Sequence, residues 1–330
     1  MALTDMKVFD KYVAEATIET LAQQVEKFNA ASAGAIVLTT QGFTGDFIHE
    51  QFWKSVHSAQ RRVNRYATNT TASPTAMAEL RESGVKVAGG FGPIAWEPGQ
   101  LTWMQKNTAE AVEMASRNLA EAIMKDQLNS AIAALCAAIA NNSAVRVEQT
   151  TGSTASKITY AMLNAAHAKF GDSSSAIVAN VMDGATYHAL IGQNLANANS
   201  LFSANGVTVV DILGKAVIVT DAPALAVAAV VPSPSVPAKS RALGLVAGAA
   251  TVFDGSDLIT NTEVSNGAQR ITATFQADYT FGLALKGYSW DVQNGGKSPS
   301  DAAIATGTNW DKVATSDKHT AGVIATGLAS

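Results

Sequence analysis

From Asn107 to about Asn141 the chain follows an unbroken helical pattern, and no other feature limits its fold as strongly. Asn107-Thr-Ala-Glu110 has the spacing of a capping box, with Asn in place of the usual Ser or Thr. Val112, Leu119, Ile123, Leu128, Ile132, Leu135 and Ile139 mark one buried stripe. Glu113, Arg117, Glu121 and Lys125 alternate in sign at four-residue steps on the exposed face. At 1.5 Å per residue this predicts a rod of roughly 50 Å. Its second half, SAIAALCAAIA, is nearly uncharged and lined with alanine, so other backbones can approach it closely. Such a helix reads as a structural spine.

Residues 5–31 form an earlier amphipathic segment. Phe9, Val13, Ala16, Ile18, Leu21, Val25 and Phe28 recur at helical spacing, with Thr4 or Asp5 as cap and Gly34 beyond the end. Two readings stand: a helix docked on its own domain, or an arm lying on a neighbouring subunit. Deleting Met1 to Ala31, or replacing Arg61, Arg62 and Arg65 with Glu, is expected to block assembly and leave a soluble chain.

Between Gly42 and Gly99 the pattern is irregular. Asp46 to Ala59 reads as a short helix and Gln60 to Thr68 as an extended ribbon. A polar tip follows, TNTTASPTA (Thr68 to Ala76), and then a second extended stretch, Glu82 to Trp96. Loops longer than about 12–15 residues are uncommon in compact domains and are usually functional or disordered. This one reads as a protruding interaction arm. Gly89-Gly90-Phe91-Gly92 lacks the GxGxxG spacing and is followed by Pro93, so it reads as a flexible bend.

Beyond the spine the units are short. Thr159 to Phe170 is helical, with Gly171 as its stop. Ala176 to Met182 is a strand, Asp183 caps a helix to about Leu195, and Val207 to Ile212 and Lys215 to Thr220 are β-rich. Pro223 to Pro237 reads as a strand ending in a loop. Ala242 to Phe253, Leu258 to Val264, Gln269 to Gln276 and Tyr279 to Val292 are strand candidates, with Asn266-Gly267 as a two-residue hairpin turn. The Gly/Ser/Thr/Ala-rich tail from Gly295 has one anchor, Asn309-Trp310.

Chemistry is sparse. His49, His57, His167, His188 and His319 show no metal-ligand spacing, so neither a metal nor a cofactor is expected. Cys136 lies in the Ala-rich half of the spine and reads as a small hydrophobe. Gly296-Lys297-Ser298 matches the end of a phosphate-binding loop, but Asp291 stands where its first glycine belongs. Asp254, Asp257, Asp278 and Asp291 share no spacing and read as solvated loop acids. No catalytic residue is assigned, and the chain is not expected to be an enzyme.

Charged residues make up only 15% of the sequence, and the net charge is −4. That balance argues against a general nucleic-acid binder. Arg61, Arg62 and Arg65, beside Tyr66, form one basic cluster. Salt bridging to carboxylates of an adjacent subunit is favoured over phosphate contact or a merely solvated ribbon. The start has no apolar signal region, and no run is apolar enough to span a membrane, so the expectation is a soluble, cytoplasmic chain. Low charge, abundant alanine and long arms suit a chain packed against copies of itself.

Taken in order, an amphipathic arm, a long extended loop, an Ala-rich spine, a small α/β unit and a β-rich return resemble the major capsid proteins of tailed double-stranded-DNA bacteriophages. That is the Hong Kong 97-like capsid fold, of α+β class. TWMQKNTAEAVEMASRNLAEAIMKDQLNSAIAAL (Thr102 to Leu135) and SAIVANVMDGATYHALIG (Ser175 to Gly192) resemble the family's spine helix and strand-helix unit. GKAVIVTDAPAL (Gly214 to Leu225) and the segment Gly287 to Val323 are similar to one capsid branch.

The resemblance implies an arm at 1–41, an extended loop at 42–100 and a peripheral domain with the spine at 101–149. An axial domain at 150–250, peripheral strands at 251–294 and a tail at 295–330 complete it. It implies pentamers and hexamers closing into an icosahedral shell around double-stranded DNA, in a virion assembled in the host cytoplasm. A portal, a separate scaffolding protein and in some branches a decoration protein are the implied partners. Phe9, Val13, Arg61, Arg62, Arg65 and Lys86 are the expected inter-subunit contacts. Lys86 and Asn294 lie where some members cross-link, but no catalytic partner marks them. An encapsulin-like compartment of the same fold, or a cytosolic α+β enzyme, are the alternatives.

Overall fold

The computed structural model describes residues 3–42, 45–53, 60, 62–66, 68, 74, 79–96, 108–151, 155–197, 215–229, 237–255, 257–265 and 271–329. Two sheets are joined by one long helix. The first helix, α1 (Leu3–Ala31), leads through a left-handed turn at Ala33 and Gly34 into β1 (Ile36–Gly42). The Asn29 amide locks that junction: Nδ2 donates to the Leu38 carbonyl at 2.6 Å, and Oδ1 accepts from the Leu38 N–H at 2.9 Å.

Strands β2 (Phe47–Trp53) and β3 (Glu79–Trp96) follow, and then the spine α2 (Thr108–Asn141). Strand β4 (Arg146–Gln149), helix α3 (Tyr160–Ala168), strand β5 (Ile177–Met182), helix α4 (Gly184–Asn197) and strand β6 (Ala216–Val219) come next. The return comprises β7 (Ala226–Val227), β8 (Lys239–Val246), β9 (Ala250–Asp254), β10 (Ile259–Ser265), β11 (Thr272–Leu285) and β12 (Tyr288–Trp290). Short helices α5 (Val292–Gly295) and α6 (Asp301–Ile304) precede β13 (Trp310–Lys312) and β14 (Gly322–Leu328).

The first sheet is organised on β11. One edge of β11 pairs with β3 from Ala273↔Trp96 to Leu283↔Val85. Its other edge pairs first with β10 and then with β9, which carries β1 in parallel. Strand β2 extends β3 outward, and β12 and β13 continue the sheet past the turn at Gly287. The second sheet runs β4-β14-β8-β5-β6, with β5 and β6 parallel around α4. Helix α2 packs on β9, β11 and β13 of the first sheet and on β4 and β14 of the second. This explains its two halves. Glu113, Arg117, Glu121 and Lys125 are all exposed, whereas Ala131, Ile132 and Ala134 to Ile139 are buried together because both sheets cover that end. Burial pushes the Cys136 thiol up to about 11, so it stays protonated and acts as a small apolar filler.

Several expectations change. Phe47–Trp53 is a strand, not a helix, because it pairs register by register with Glu79–Val85 of β3. The GGFG segment is not a bend but part of β3: Gly89 pairs with Tyr279, and the register shifts between Phe275 and Ala277 beside it. Ala242 to Phe253 is two strands in different sheets, parted at Gly248, whose φ of +65° suits a residue without a Cβ. Gln269–Gln276 and the start of Tyr279–Val292 are instead one strand, β11. Ser265 pairs with Thr272, and the expected turn at Asn266-Gly267 lies outside the described residues. Ile18 lies off the buried face of α1 and is exposed. The segment read as a tail inserts β14 between β4 and β8. Val207 to Ile212 lies outside the described residues.

Candidate assembly surfaces

Helix α1 docks on its own chain. Val13, Thr17 and Val25 are buried against α2 and the first sheet, and the Thr17 hydroxyl donates to the Val13 carbonyl at 2.6 Å. The apolar face of this segment is thus docked on its own domain, so deleting Met1 to Ala31 would strip apolar cover from the spine. The opposite face of α1, with Tyr12, Glu15, Glu19, Gln23 and Glu26, is exposed.

Strands β2 and β3 form a hairpin whose intervening residues include an exposed stretch from Arg62 to Tyr66. Tyr66 is 97% and Val63 70% exposed, and the Tyr66 N–H donates to Asn64 Oδ1 at 3.0 Å, shaping a turn. Arg62 and Arg65 are exposed on it. Arg61 and the Phe9 side chain lie outside what the structure describes. Val13 is covered by its own chain. Lys86 meets Asp257 of the same chain, Nζ to Oδ2 at 3.4 Å, across Gly282, which stands opposite Lys86 in the ladder.

Asp257 and Asp291 are not merely solvated. Asp257 Oδ1 accepts from the Thr280 N–H at 3.0 Å and from its hydroxyl at 2.5 Å. Asp291 caps α5 by accepting from Gln293 and Asn294 N–H groups. Asn294 Nδ2 donates to Asp291 Oδ2. Asp183 precedes α4, but the Gly184 N–H donates to Asp221 Oδ1 at 3.3 Å.

Sequence reasoning missed the contacts that join the spine to the sheets. Asp126 on α2 accepts a hydrogen bond from the Tyr279 hydroxyl on β11. Burial pushes both groups toward their neutral forms. Phe91, Tyr279 and Phe281 stack in a row, with centroids 5.5 and 6.3 Å apart, and the ring of Tyr279 lies over Gly89, where a Cβ would come within 2.7 Å of it. The glycine opposite an aromatic in consecutive ladders was the available signal, but it needs the pairing to be known. Lys239 Nζ bonds Glu148 Oε1 at 2.9 Å, bridging β8 to β4 across β14 and holding the Glu148 carboxyl below its usual range.

A cavity of about 280 Å³ lies among α1, α2 and β11, lined by Thr17, Ile18, Leu21, Ile123, Gln127 and Tyr279 among others. Among the described residues no three His, Cys, Asp or Glu side chains could hold a metal, and no helix is long and apolar enough to cross a membrane.

A family model described as major capsid protein 13-like matches residues 5–324. Among solved structures, the chain is similar to the capsid of Ralstonia phage GP4, with a TM-score of 0.54 and 10% identity over 91% of this chain and 89% of that one. It is similar to the capsid asymmetric unit of cyanophage Pam1, at 0.52 and 13% identity over 89% and 88%. It also resembles the structure of Mycobacterium phage Adephagia, at 0.50 and 10% identity over 89% and 88%. No curated protein sequence matches the chain.

Proposed function

This chain belongs to the major capsid protein 13-like family, a structural component of the phage head shell, and from that premise we propose how its copies build the shell. Copies associate as pentamers and hexamers that close into an icosahedral shell around double-stranded DNA. Assembly takes place in the host cytoplasm with a separate scaffolding protein and a portal, and the finished shell is open to a decoration protein. The Arg62 and Arg65 side chains make contacts between subunits, and DNA is enclosed without sequence reading; a net charge of −4 supports a shell that does not grip DNA through a basic face.

The observation that carries this reading is the extent of the family match. It runs from α1 through both sheets to β14, so the whole architecture and not one module is capsid-like. The physics agrees. A shell protein needs several moderate interfaces acting together rather than one tight site. The exposed outer face of α1 and the exposed Arg62–Tyr66 turn provide separate surfaces of that kind.

Expression with the neighbouring phage genes, then size exclusion and negative-stain microscopy, tests the proposal. Closed, uniform hollow shells are expected. A small discrete oligomer under every condition, candidate scaffold included, would overturn it.

A further inference from the structure

The outer face of α1 is an acidic stripe. Tyr12, Glu15, Glu19, Gln23 and Glu26 recur at steps of three and four residues, so they line one side of the helix, and all five are exposed. Val13, Thr17, Leu21 and Val25 on the opposite side face the chain's own core, so the stripe points away from it.

The β2–β3 hairpin carries the matching chemistry. Within five residues it exposes Arg62, Val63, Arg65 and Tyr66. Among the described residues, Arg62, Arg65, Glu19 and Glu26 have no ion-pair partner within the chain. Two guanidiniums with an aromatic and an aliphatic side chain complement two carboxylates flanked by Tyr12 and Ile18 in both charge and apolar contact.

We infer that the Arg62–Tyr66 turn of one subunit seats on the Glu19–Glu26 stripe of α1 in a neighbouring copy. The inference rests on the shell reading above and adds to it which two surfaces of the chain meet. Guanidiniums pair with carboxylates in bidentate geometry and stack on aromatic rings, so Arg62 and Arg65 fix register as well as attraction. DNA is the weaker alternative partner, since two arginines do not form a basic face on this acidic chain.

A charge-swap experiment tests this in full-length protein under conditions where the unsubstituted chain forms shells. Arg62→Glu with Arg65→Glu, and separately Glu19→Arg with Glu26→Arg, are each expected to lower shell yield at least about tenfold through like-charge contact. The melting temperature of the unassembled subunit should stay unchanged. All four substitutions together are expected to restore the yield to within about threefold. The neutral pair Arg62→Gln and Arg65→Gln gives a milder control, with reduced yield and weaker dependence of assembly on salt.

Normal shells from either reversal, or a combined variant no better than the worse reversal, would overturn the pairing and leave the shell reading intact. So would normal shells that only lose packaged DNA. Absence of shells from the unsubstituted chain would overturn the shell reading and this inference together.

Discussion

The Tyr279 hydroxyl on β11 donates to Asp126 Oδ2 on α2 at 2.6 Å, fastening the exposed-faced half of the spine to the longest ladder of the first sheet. The two ends of this bond respond differently to substitution. Tyr279→Phe leaves a partly buried carboxylate without its donor and is expected to cost about 1–2 kcal/mol. Asp126 has its pKa raised by burial, so its ionised form is disfavoured in the folded chain above about pH 4. Asp126→Asn keeps an acceptor and removes that charge. It is expected to be at least as stable as the parent at pH 7, with the difference fading toward pH 3. Urea titrations of both variants check the contrast, and a strongly destabilised Asp126→Asn would refute it.

Gly295 sits under Trp290, where an added Cβ would lie 2.1 Å from the indole. Trp290 cannot give way easily, because its Nε1 donates to the Gly296 carbonyl at 2.9 Å and its ring meets Trp310 edge-on at 4.8 Å. Gly295→Ala should therefore cost about 1–3 kcal/mol. Gly192, in α4 with nothing within 4 Å of its would-be Cβ, should behave oppositely. Gly192→Ala is expected to stabilise by about 0.5–1 kcal/mol, since alanine loses less backbone entropy in a helix. Thermal unfolding of the two variants is the comparison to make.

His167 on α3 is buried over Gly244, with Nε2 2.9 Å from Asn180 Oδ1 on β5. Burial lowers its pKa below 6.5; the Asn180 bond opposes the shift and Lys215 adds to it. Above pH 6.5 both the folded and the unfolded chain hold a neutral imidazole. Below it the unfolded chain binds a proton that the folded chain resists, so stability falls on acidification. Replacing His167 with Gln should flatten that part of the stability profile between pH 7 and 5. An unchanged slope would assign the acid sensitivity to other groups.

Strand β14 lies between β4 and β8, with Val323, Ile324 and Ala325 fully buried. Truncation after Ser316 removes it and separates the two sides of the second sheet. The shortened chain is expected to lose cooperative unfolding and to aggregate, as followed by circular dichroism and light scattering. A soluble, cooperatively melting product would show that the sheet closes without β14.

The spine was legible because a helix is written in residues three and four apart. The exposed Glu113, Arg117, Glu121 and Lys125 and the left-handed Gly171 after α3 follow from near neighbours, whereas Thr159, read as part of that helix, is its cap. Strand partners are not local. Phe47–Trp53 resembles a helix until β3 lies beside it, and Ala242 to Phe253 looks continuous until Gly248 turns the chain from one sheet to the other. Glycines 89, 244 and 295 gain meaning only from the Tyr279, His167 and Trp290 rings above them.

The sequence by itself determined the long helix, its charged face and the amphipathic α1, since each depends on composition or short-range period. The tertiary structure decided which side of α1 is covered, why the Ala-rich end of the spine is buried all round, and that the final residues complete a sheet. A uniformly apolar surface carries no direction until its partners arrive. Those partners lie far away in sequence, as Asp126 and Tyr279 or Arg146 and Ile324 do.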